Sequence, residues 1–308
     1  MPPSSGWRNS EPATMSEPVT VNGGDSKVAV GPDRDLRVAL VQGDTRWHDP
    51  AGNRAYYGGL IAPLAGRSDL IVLPETFTSG FSNEALASAE GMQGPTVAWL
   101  REQARALDAA VCGSVQLRIE GAQAEAEGIA AGVYNRLLFA TPDGALTHYD
   151  KRHLFRMAKE HERYAAGNKR VFVDWRGWRI FLQVCYDLRF PVFIRNRFDH
   201  GRAGGFDYDL ALFVANWPAP RAHAWKTLLR ARAIENLACV IGVNRVGTDG
   251  NGIDYAGDSV ALDPLGQPIV EGDGHVRVLE AVFSAEQLRG HRERFPAQLD
   301  ADDFELRE

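Results

Sequence analysis

The sequence predicts a layered α/β domain, and three observations favour this fold class. Short apolar segments with the composition of strands alternate with longer segments that have the period of helices. The segment at 69–73 is apolar almost throughout, which is typical of a strand covered on both faces. Two further strand-like segments flank a Pro142-Asp143-Gly144 turn, which predicts a hairpin. The 308 residues suffice for one large domain or two small ones.

The first half of the chain alternates strands with helices and ends in the hairpin. In chain order, we predict a strand at 36–41, a helix at 53–64, a strand at 69–73, a helix at 96–107, a strand at 110–116 and hairpin strands at 133–141 and 146–149. The segment at 122–131 is rich in Ala, Glu and Gly and is predicted to be a loop.

The second half continues this pattern without a linker of low complexity or an internal repeat. We predict strands at 179–184, 210–215, 239–244 and 258–262, and a strongly periodic helix at 222–236. Residues 1–34 are rich in Pro, Ser, Gly and Asp and lack apolar periodicity, so we expect a disordered leader there. Residues 35–308 are then expected to form a single domain with a C-terminal tail.

Composition and charge favour a protein that acts on small molecules. The 34 Lys and Arg residues against 40 Asp and Glu residues give a net charge of -6, which argues against binding to nucleic acid or an anionic membrane. No apolar segment is long enough to span a membrane or has the form of a secretory signal. The three cysteines are widely separated and form no metal-ligand cluster. A reducing compartment, and therefore the cytoplasm, is the simplest expected location.

Cys185 is the first candidate for a catalytic residue. It lies where the apolar strand at 179–184 gives way to a polar segment. A nucleophile at such a turn is presented above the sheet edge, and the amide groups that follow it can donate to an oxyanion. The alternative is a buried structural cysteine, which is the interpretation that we favour for Cys112 and Cys239.

Glu75 and Lys151 also lie at the ends of predicted strands. Ligands bind at the carboxyl ends of strands in open α/β sheets, and a carboxylate among apolar neighbours suits a general base. A lysine beside a cysteine would lower the pKa of the thiol and stabilise a developing oxyanion. Taken singly, each residue is also consistent with a solvated surface charge.

The segments around these three residues resemble the Glu, Lys and Cys motifs of the nitrilase, or carbon–nitrogen hydrolase, superfamily. The segments occur in the family's order and are Leu73-Pro74-Glu75, Tyr149-Asp150-Lys151-Arg152-His153-Leu154-Phe155 and Val184-Cys185-Tyr186-Asp187-Leu188-Arg189-Phe190-Pro191. Further segments resemble the ω-amidase branch more narrowly, namely Arg156-Met157-Ala158-Lys159-Glu160-His161, Tyr208-Asp209-Leu210, Val214-Ala215-Asn216-Trp217-Pro218-Ala219-Pro220-Arg221 and Asn244-Arg245-Val246-Gly247 with the residues that follow. The resemblance extends from about residue 35 to near the C-terminus.

The resemblance implies a four-layer αββα sandwich, in which two sheets pack face to face between helices. It also implies a homodimer that makes an eight-layer assembly, and the stretch at 291–304 is a candidate for a contact in that dimer. The implied chemistry needs no metal or organic cofactor. In keeping with this, the sequence contains neither an HExxH motif nor a Cys/His ligand set.

The same resemblance assigns roles to the candidate residues. Cys185 attacks an amide carbonyl while Glu75 accepts the thiol proton and delivers it to the departing ammonia. Lys151 and the backbone N–H of Tyr186 hold the oxyanion. Glu75 then activates water, which hydrolyses the acyl-thioester.

The family has a second glutamate that hydrogen-bonds the lysine and helps to orient the substrate. Counting back from Ala165-Ala166-Gly167 assigns this role to Glu160 rather than to Glu162. The alternative is that both are ordinary charges on a solvated segment.

The resemblance implies substrates that are ω-amides of 2-oxo acids, such as 2-oxoglutaramate or 2-oxosuccinamate. Such a substrate carries a carboxylate, and a guanidinium matches its geometry with two hydrogen bonds. Arg189 and Arg221 are the candidates for this contact, although Arg189 could also serve a structural ion pair. Phe81 and Trp217 could supply apolar walls, or could equally be core residues.

Several alternatives are open at this point. The protein could be a Cys–His hydrolase that uses His161 or His223 as base. It could be a nitrilase or an N-carbamoyl-amide hydrolase of the same superfamily, or a catalytically silent scaffold. The glycine-rich stretch at 247–252 matches neither the Rossmann nor the P-loop spacing and is interpreted as a turn.

Overall fold

The computed structural model describes residues 31–199, 201–202, 205–302 and 304–305. The predicted leader at 1–34 lies outside the described residues, apart from residues 31–34. Among the helices that are described, none combines the length and the apolar composition needed to cross a membrane.

The strands occur throughout the described part of the chain. In chain order they are β1 (Leu36–Gln42), β2 (Leu70–Val72), β3 (Ala110–Ile119), β4 (Gly132–Ala140), β5 (Leu146–Asp150), β6 (Phe172–Trp175), β7 (Trp178–Val184), β8 (Leu210–Ala215), β9 (Cys239–Asn244), β10 (Val246–Thr248), β11 (Asp254–Ala256), β12 (Val260–Leu262), β13 (Pro268–Glu271) and β14 (Arg277–Phe283). The helices are α1 (Pro50–Ile61), α2 (Pro95–Leu107), α3 (Gly121–Glu127), α4 (Pro191–Ile194), α5 (Ala222–Asn236) and α6 (Ala285–Arg294).

Two six-stranded mixed sheets form the middle of the molecule. The first has the order β14-β1-β2-β3-β4-β5, and the second has the order β13-β12-β9-β8-β7-β6. Strands β1, β2 and β3 are parallel, as are β7, β8 and β9. A small two-stranded sheet of β10 and β11 extends from the end of β9.

The sheets pack against each other, and helices cover their outer faces. One hydrophobic core contains Leu40 of the first sheet together with Leu182 and Leu212 of the second, all fully buried. Helices α1 and α2 bury Tyr57, Leu100 and further apolar residues against the outer face of the first sheet. Helix α5 packs on the second sheet so closely that a Cβ on Gly242 would lie 2.5 Å from Leu229. The four-layer αββα sandwich implied by the family resemblance is therefore confirmed.

The prediction of a loop at 122–131 is wrong, because the first part of this segment forms α3. Its Ala and Glu residues favour a helix, and the glycines occupy only the ends of that helix. Gly128 ends α3 in a left-handed conformation with φ of 66°. The composition of the whole segment thus concealed a helix whose glycines act as terminators.

The sequence prediction also omitted β14 and α6. In β14, Leu279, Ala281 and Phe283 alternate with exposed residues, so its two-residue period was present in the sequence. β14 pairs with all seven residues of β1, including Leu36 with Phe283. The C-terminal part of the chain thereby completes the edge of the first sheet.

Candidate active site

Three strand ends bring Glu75, Lys151 and Cys185 to one edge of the sandwich. Glu75 follows β2 closely and Lys151 follows β5 directly, and these two strands point the same way within the first sheet. Cys185 follows β7 directly in the second sheet. The Lys151 Nζ atom lies 3.0 Å from Glu75 Oε1, and both side chains are only 1% exposed. The three predicted residues therefore share one site.

Cys185 occupies a sharp turn between β7 and a short 3-10 helix, Cys185–Arg189. Its φ of 45° lies in the left-handed region, which is disfavoured for a residue with a Cβ. The Sγ atom lies 3.9 Å from the backbone oxygen of Asn216, which follows β8. The turn presents the thiol to the space between the sheet ends, as expected for a nucleophile.

Lys151 is held by two carboxylates. Its Nζ atom donates to both Glu160 oxygens at 3.0 Å as well as to Glu75. Glu160 is fully buried and accepts a further hydrogen bond from the backbone N–H of Phe155 at 2.6 Å. The site thus contains Glu160 in contact with the lysine; Glu162 is exposed.

The charges in the site keep the lysine protonated and the thiol neutral. Burial alone would lower the pKa of Lys151, but Glu160 and Glu75 outweigh it and hold that pKa well above its ordinary value. Burial raises the pKa of Glu160, and Lys151 offsets this effect only in part. Burial and then the Glu75 carboxylate raise the pKa of the Cys185 thiol well above its usual range, despite the opposing charge of Lys151.

Two asparagines that the sequence analysis did not single out position Glu75. Asn135 on β4 donates to Glu75 Oε1 at 2.7 Å, and the backbone N–H of Asn216 donates to Oε2 at 2.7 Å. The Asn216 side chain also donates to the backbone oxygen of Glu75 and to Thr76 Oγ1. Asn135 and Arg136 are the polar residues of a strand that is otherwise apolar, which was the one signal that could have identified Asn135.

A cavity of about 280 Å³ opens above the thiol. Its lining includes Glu75, Lys151, Cys185, Tyr186, Arg189, Arg221, Phe81 and Trp217. Residues of the β10–β11 hairpin, among them Asp249 and Tyr255, form another part of the wall. The stretch at 247–252 spans the end of β10 and most of the connection to β11. All of the predicted substrate-binding residues therefore face the same cavity as the thiol.

Aromatic rings hold the two cavity arginines. The guanidinium of Arg189 lies over the Trp217 ring at 4.9 Å, and that of Arg221 lies over the Phe155 ring at 5.3 Å. Within the described residues, neither guanidinium forms an ion pair with a carboxylate. Both charges thus lie against aromatic rings and remain available to an anion.

The histidines that could have served as a base lie elsewhere. His161 and His223 are exposed, and no histidine of the described chain lines the cavity around Cys185. The described residues contain one group with the spacing of metal ligands, Glu127, His148 and Asp150. The Arg136 guanidinium donates to both carboxylates of that group, so a cation would have to displace it.

The fold, with a buried Glu–Lys–Cys arrangement at the sheet ends, defines a hydrolase of the thiol-nucleophile type. The model of the family "Carbon-nitrogen hydrolase" matches residues 37–289. The chain belongs to the carbon–nitrogen hydrolase family.

Several relatives have names that match the predicted ω-amidase branch. The chain is 48% identical to Omega-amidase YafV of Escherichia coli strain K12 over 88% of this chain and 98% of that protein. It is 29% identical to the 2-oxoglutaramate amidase of Bacillus subtilis strain 168, over 84% of this chain and 95% of that protein. The chain is also similar to a CN-hydrolase superfamily protein from Xanthomonas campestris, whose crystal structure has an arsenic adduct in the active site. The TM-score is 0.85 and the identity 65%, and the match covers 89% of this chain and all of that one.

Proposed function

We propose that the protein is a cysteine-dependent amidohydrolase that releases ammonia from the terminal amide of a 2-oxo acid ω-amide. Its expected substrates are 2-oxoglutaramate and 2-oxosuccinamate. The observation that carries the proposal is the contact of Lys151 with Glu75 and Glu160 below a cavity that also contains the Cys185 thiol and two unpaired guanidiniums. The similarity to Omega-amidase YafV supports the same substrate class.

The reaction begins with a neutral thiol. As Cys185 Sγ attacks the amide carbonyl, Glu75 accepts the thiol proton, so that no free thiolate accumulates beforehand. The carbonyl oxygen becomes an oxyanion, which Lys151 Nζ and the backbone N–H of Tyr186 stabilise. Because Lys151 stays protonated at neutral pH, its positive charge is present throughout this step.

Collapse of the tetrahedral intermediate releases ammonia. Glu75 returns the proton to the leaving nitrogen, and the acyl group remains on Cys185 as a thioester. Glu75 then removes a proton from a water molecule, which attacks the thioester carbonyl. As the C–S bond breaks, Glu75 returns the proton to Sγ, and the dicarboxylate and the thiol are freed. Asn135 and Asn216 hold both oxygens of Glu75 in the orientation that these proton transfers require.

Glu160 acts through the lysine. Its two oxygens fix the direction of Lys151 Nζ, and its charge compensates the ammonium, which is buried with it. Glu160 is therefore a positioning residue in this proposal, whereas Glu75 carries out the proton transfers.

Arg189 and Arg221 supply the recognition of the substrate carboxylate. Their guanidiniums are held by aromatic rings, so little side-chain freedom is lost when an anion binds. Phe81, whose ring lies 5.3 Å from Lys151 Nζ, and Trp217 form the apolar walls around the substrate chain.

The decisive experiment measures ammonia release from 2-oxoglutaramate and 2-oxosuccinamate by the wild type and by Cys185→Ala. We expect the substitution to lower the rate by roughly 10³-fold or more, because the covalent route is lost. Cys239→Ala removes a thiol outside the cavity and serves as the control, with a rate close to the wild type. Equal rates for wild type and Cys185→Ala would refute the nucleophile, and failure on every ω-amide, with turnover of nitriles or N-carbamoyl amides, would refute the substrate class.

The remaining parts of the proposal concern cell biology and assembly. Residues 35–308 form a single hydrolase domain that works in the cytoplasm as a homodimer, without a cofactor. The three free cysteines support a reducing compartment. Sedimentation at several protein concentrations tests the homodimer, and a monomer at all of them would contradict it.

A further inference from the structure

A buried carboxylate lies behind the catalytic residues and joins the ends of the two sheets. Asp187 is fully buried and accepts four hydrogen bonds. Its Oδ1 atom accepts from the backbone N–H of His153 at 3.0 Å and from His153 Nδ1 at 2.7 Å. Its Oδ2 atom accepts from the Tyr149 hydroxyl at 2.8 Å and from the backbone N–H of Val184 at 3.0 Å. Every lone-pair direction of this carboxylate is thus used within the chain.

The donors flank the two catalytic groups. Tyr149 and His153 lie two residues before and two residues after Lys151, and Val184 directly precedes Cys185. One carboxylate therefore connects the lysine segment of the first sheet with the cysteine segment of the second sheet.

We propose that Asp187 is a positioning residue that fixes the Cys185 thiol relative to Lys151. The inference rests on the proposed function, because it takes these two groups as nucleophile and oxyanion donor. The hydrogen bond from Val184 closes the turn that holds Cys185 in its left-handed conformation. The bonds from Tyr149 and His153 place that turn at a fixed distance from Lys151 Nζ.

The ring of His153 stiffens the connection. It stacks on Phe190 with a centroid distance of 3.7 Å, and Phe193 meets its edge. Because an ionised carboxylate only accepts hydrogen bonds, Nδ1 carries the proton in this arrangement. The imidazole is therefore fixed both by its stacking and by its hydrogen bond to Asp187.

Two Tyr→Phe variants distinguish a positioning role of Asp187 from a contribution to the stability of the fold alone. Tyr149→Phe removes the hydrogen bond to Asp187 and a longer one that the hydroxyl accepts from the backbone N–H of Arg152 at 3.2 Å. Tyr208→Phe removes an equally buried hydroxyl that donates to the backbone oxygen of Ile194 at 2.7 Å, away from the site. We expect both variants to lose similar stability. Only Tyr149→Phe should lower kcat, by about 10-fold or more, with KM within about threefold of the wild type.

The second measurement needs no substrate. The rate at which iodoacetamide alkylates Cys185 is followed against pH, and the midpoint reports the pKa of the thiol. Because the Lys151 charge lowers that pKa, a displaced thiol should shift the midpoint in Tyr149→Phe by about half a pH unit or more, and Tyr208→Phe should not shift it. The shift should become smaller when Tyr149→Phe is combined with Lys151→Met, since the charge of Lys151 is then gone and only the carboxylates of Glu75 and Glu160 still act on the thiol.

The outcomes are distinct. A wild-type kcat and midpoint in Tyr149→Phe, or equal changes in Tyr208→Phe, would overturn the positioning role of Asp187. A shift of undiminished size in the Lys151→Met background would also overturn it, because the position of the thiol relative to Lys151 would then not matter. Asp187→Asn should change kcat and the alkylation midpoint in the same direction and by a larger amount. If Asp187→Asn does not fold, the results for Tyr149→Phe decide the question. The expected alkylation results without ω-amide turnover would refute the proposed substrate and leave the positioning role intact.

Discussion

At the scale of single residues, the site keeps Cys185, the proposed nucleophile, in the thiol form. Burial raises the pKa of Cys185, and the nearby Glu75 carboxylate raises it further. Many thiol enzymes instead lower this pKa with a histidine or a helix N-terminus. In the proposed mechanism Glu75 removes the proton only during the attack, so a solvent oxidant or alkylating agent should meet few thiolates in the resting enzyme.

This arrangement predicts how the reactivity of Cys185 depends on pH. Alkylation of Cys185 by iodoacetamide should have a midpoint above about pH 8.5, the ordinary value for a thiol. Glu75→Gln should lower the midpoint because it removes a negative charge, and Lys151→Met should raise it because it removes a positive one. Mass spectrometry of the labelled peptide provides the measurement and separates Cys185 from the buried Cys112 and Cys239. A midpoint below pH 8 in the wild type would contradict the neutral resting thiol.

At the scale of secondary-structure elements, buried ion pairs connect neighbouring segments. The fully buried Arg136 on β4 lies opposite Asp150 on β5 and pairs with it at 2.7 Å. Its other end pairs with Glu127 of α3 at 2.6 Å. Since Arg136 follows Asn135 and Asp150 precedes Lys151, this cluster supports two residues of the site.

Arg136→Met should therefore be strongly destabilising. Removal of one partner from a buried ion pair costs about 3–5 kcal/mol, because the remaining carboxylates lose their compensating charge. Arg67→Met breaks a pair with Glu280 in which the side chains are 58% and 41% exposed, and should cost less than about 1 kcal/mol. Urea unfolding followed by circular dichroism measures both values, and equal losses would contradict the role of burial.

The carboxylate of Asp69 connects β1 and β2, and this connection is sensitive to acid. Asp69 accepts hydrogen bonds from the backbone N–H of Arg37 at 3.0 Å and from its Nε at 3.1 Å. Burial alone would raise the pKa of Asp69, but the hydrogen bonds and charge of Arg37 lower it overall. Because the folded-state pKa is the lower one, this contribution to stability is present above the unfolded pKa of about 3.9 and is lost as the pH falls through the folded value.

Asp69→Asn should consequently reduce the free energy of unfolding at pH 7 and reduce it less below about pH 4. Denaturant titrations at a series of pH values measure the difference. Asp174→Asn is the control, because its carboxylate is 78% exposed. A loss in Asp69→Asn that stays constant down to pH 3 would indicate a defect in packing instead of a lost charge.

At the scale of the whole molecule, the C-terminal part of the chain closes the sandwich. β14 pairs with the full length of β1, and α6 follows it onto the second sheet. The fully buried Arg292 of α6 pairs with Asp209 at 2.6 Å and donates to the backbone oxygens of Tyr208 and Leu237. Both sheets therefore depend on residues beyond 276.

A chain that ends at residue 275 should not fold cooperatively, because β1 loses one of its two partner strands and becomes an edge, and Asp209 loses its charge compensation. A chain that ends at residue 296 should melt within a few degrees of the full-length protein, since the short helix Ala297–Asp300 buries none of its side chains. Differential scanning calorimetry measures both chains. A cooperative transition in the shorter chain would show that the first sheet is stable without β14.

The sequence was most informative where the structure depends on local patterns. Strands such as β1, β7, β8 and β9 were predicted because their segments are mainly apolar. The candidate residues Glu75, Lys151 and Cys185 were found because each lies at such a strand end. The helix α3 was missed because the composition of its segment was considered as a whole, without the positions of the glycines at its ends.

The sequence by itself determined the alternation of strands and helices, the family and the identity of the candidate nucleophile. Only the tertiary structure decided which polar side chains support them. Asn216 meets Glu75 across 141 positions of the chain, and Asp187 meets Tyr149 across 38. Hydrogen bonds of this kind produce no periodic pattern in the sequence. They depend on how two sheets pack and not on the neighbours of a residue in the chain.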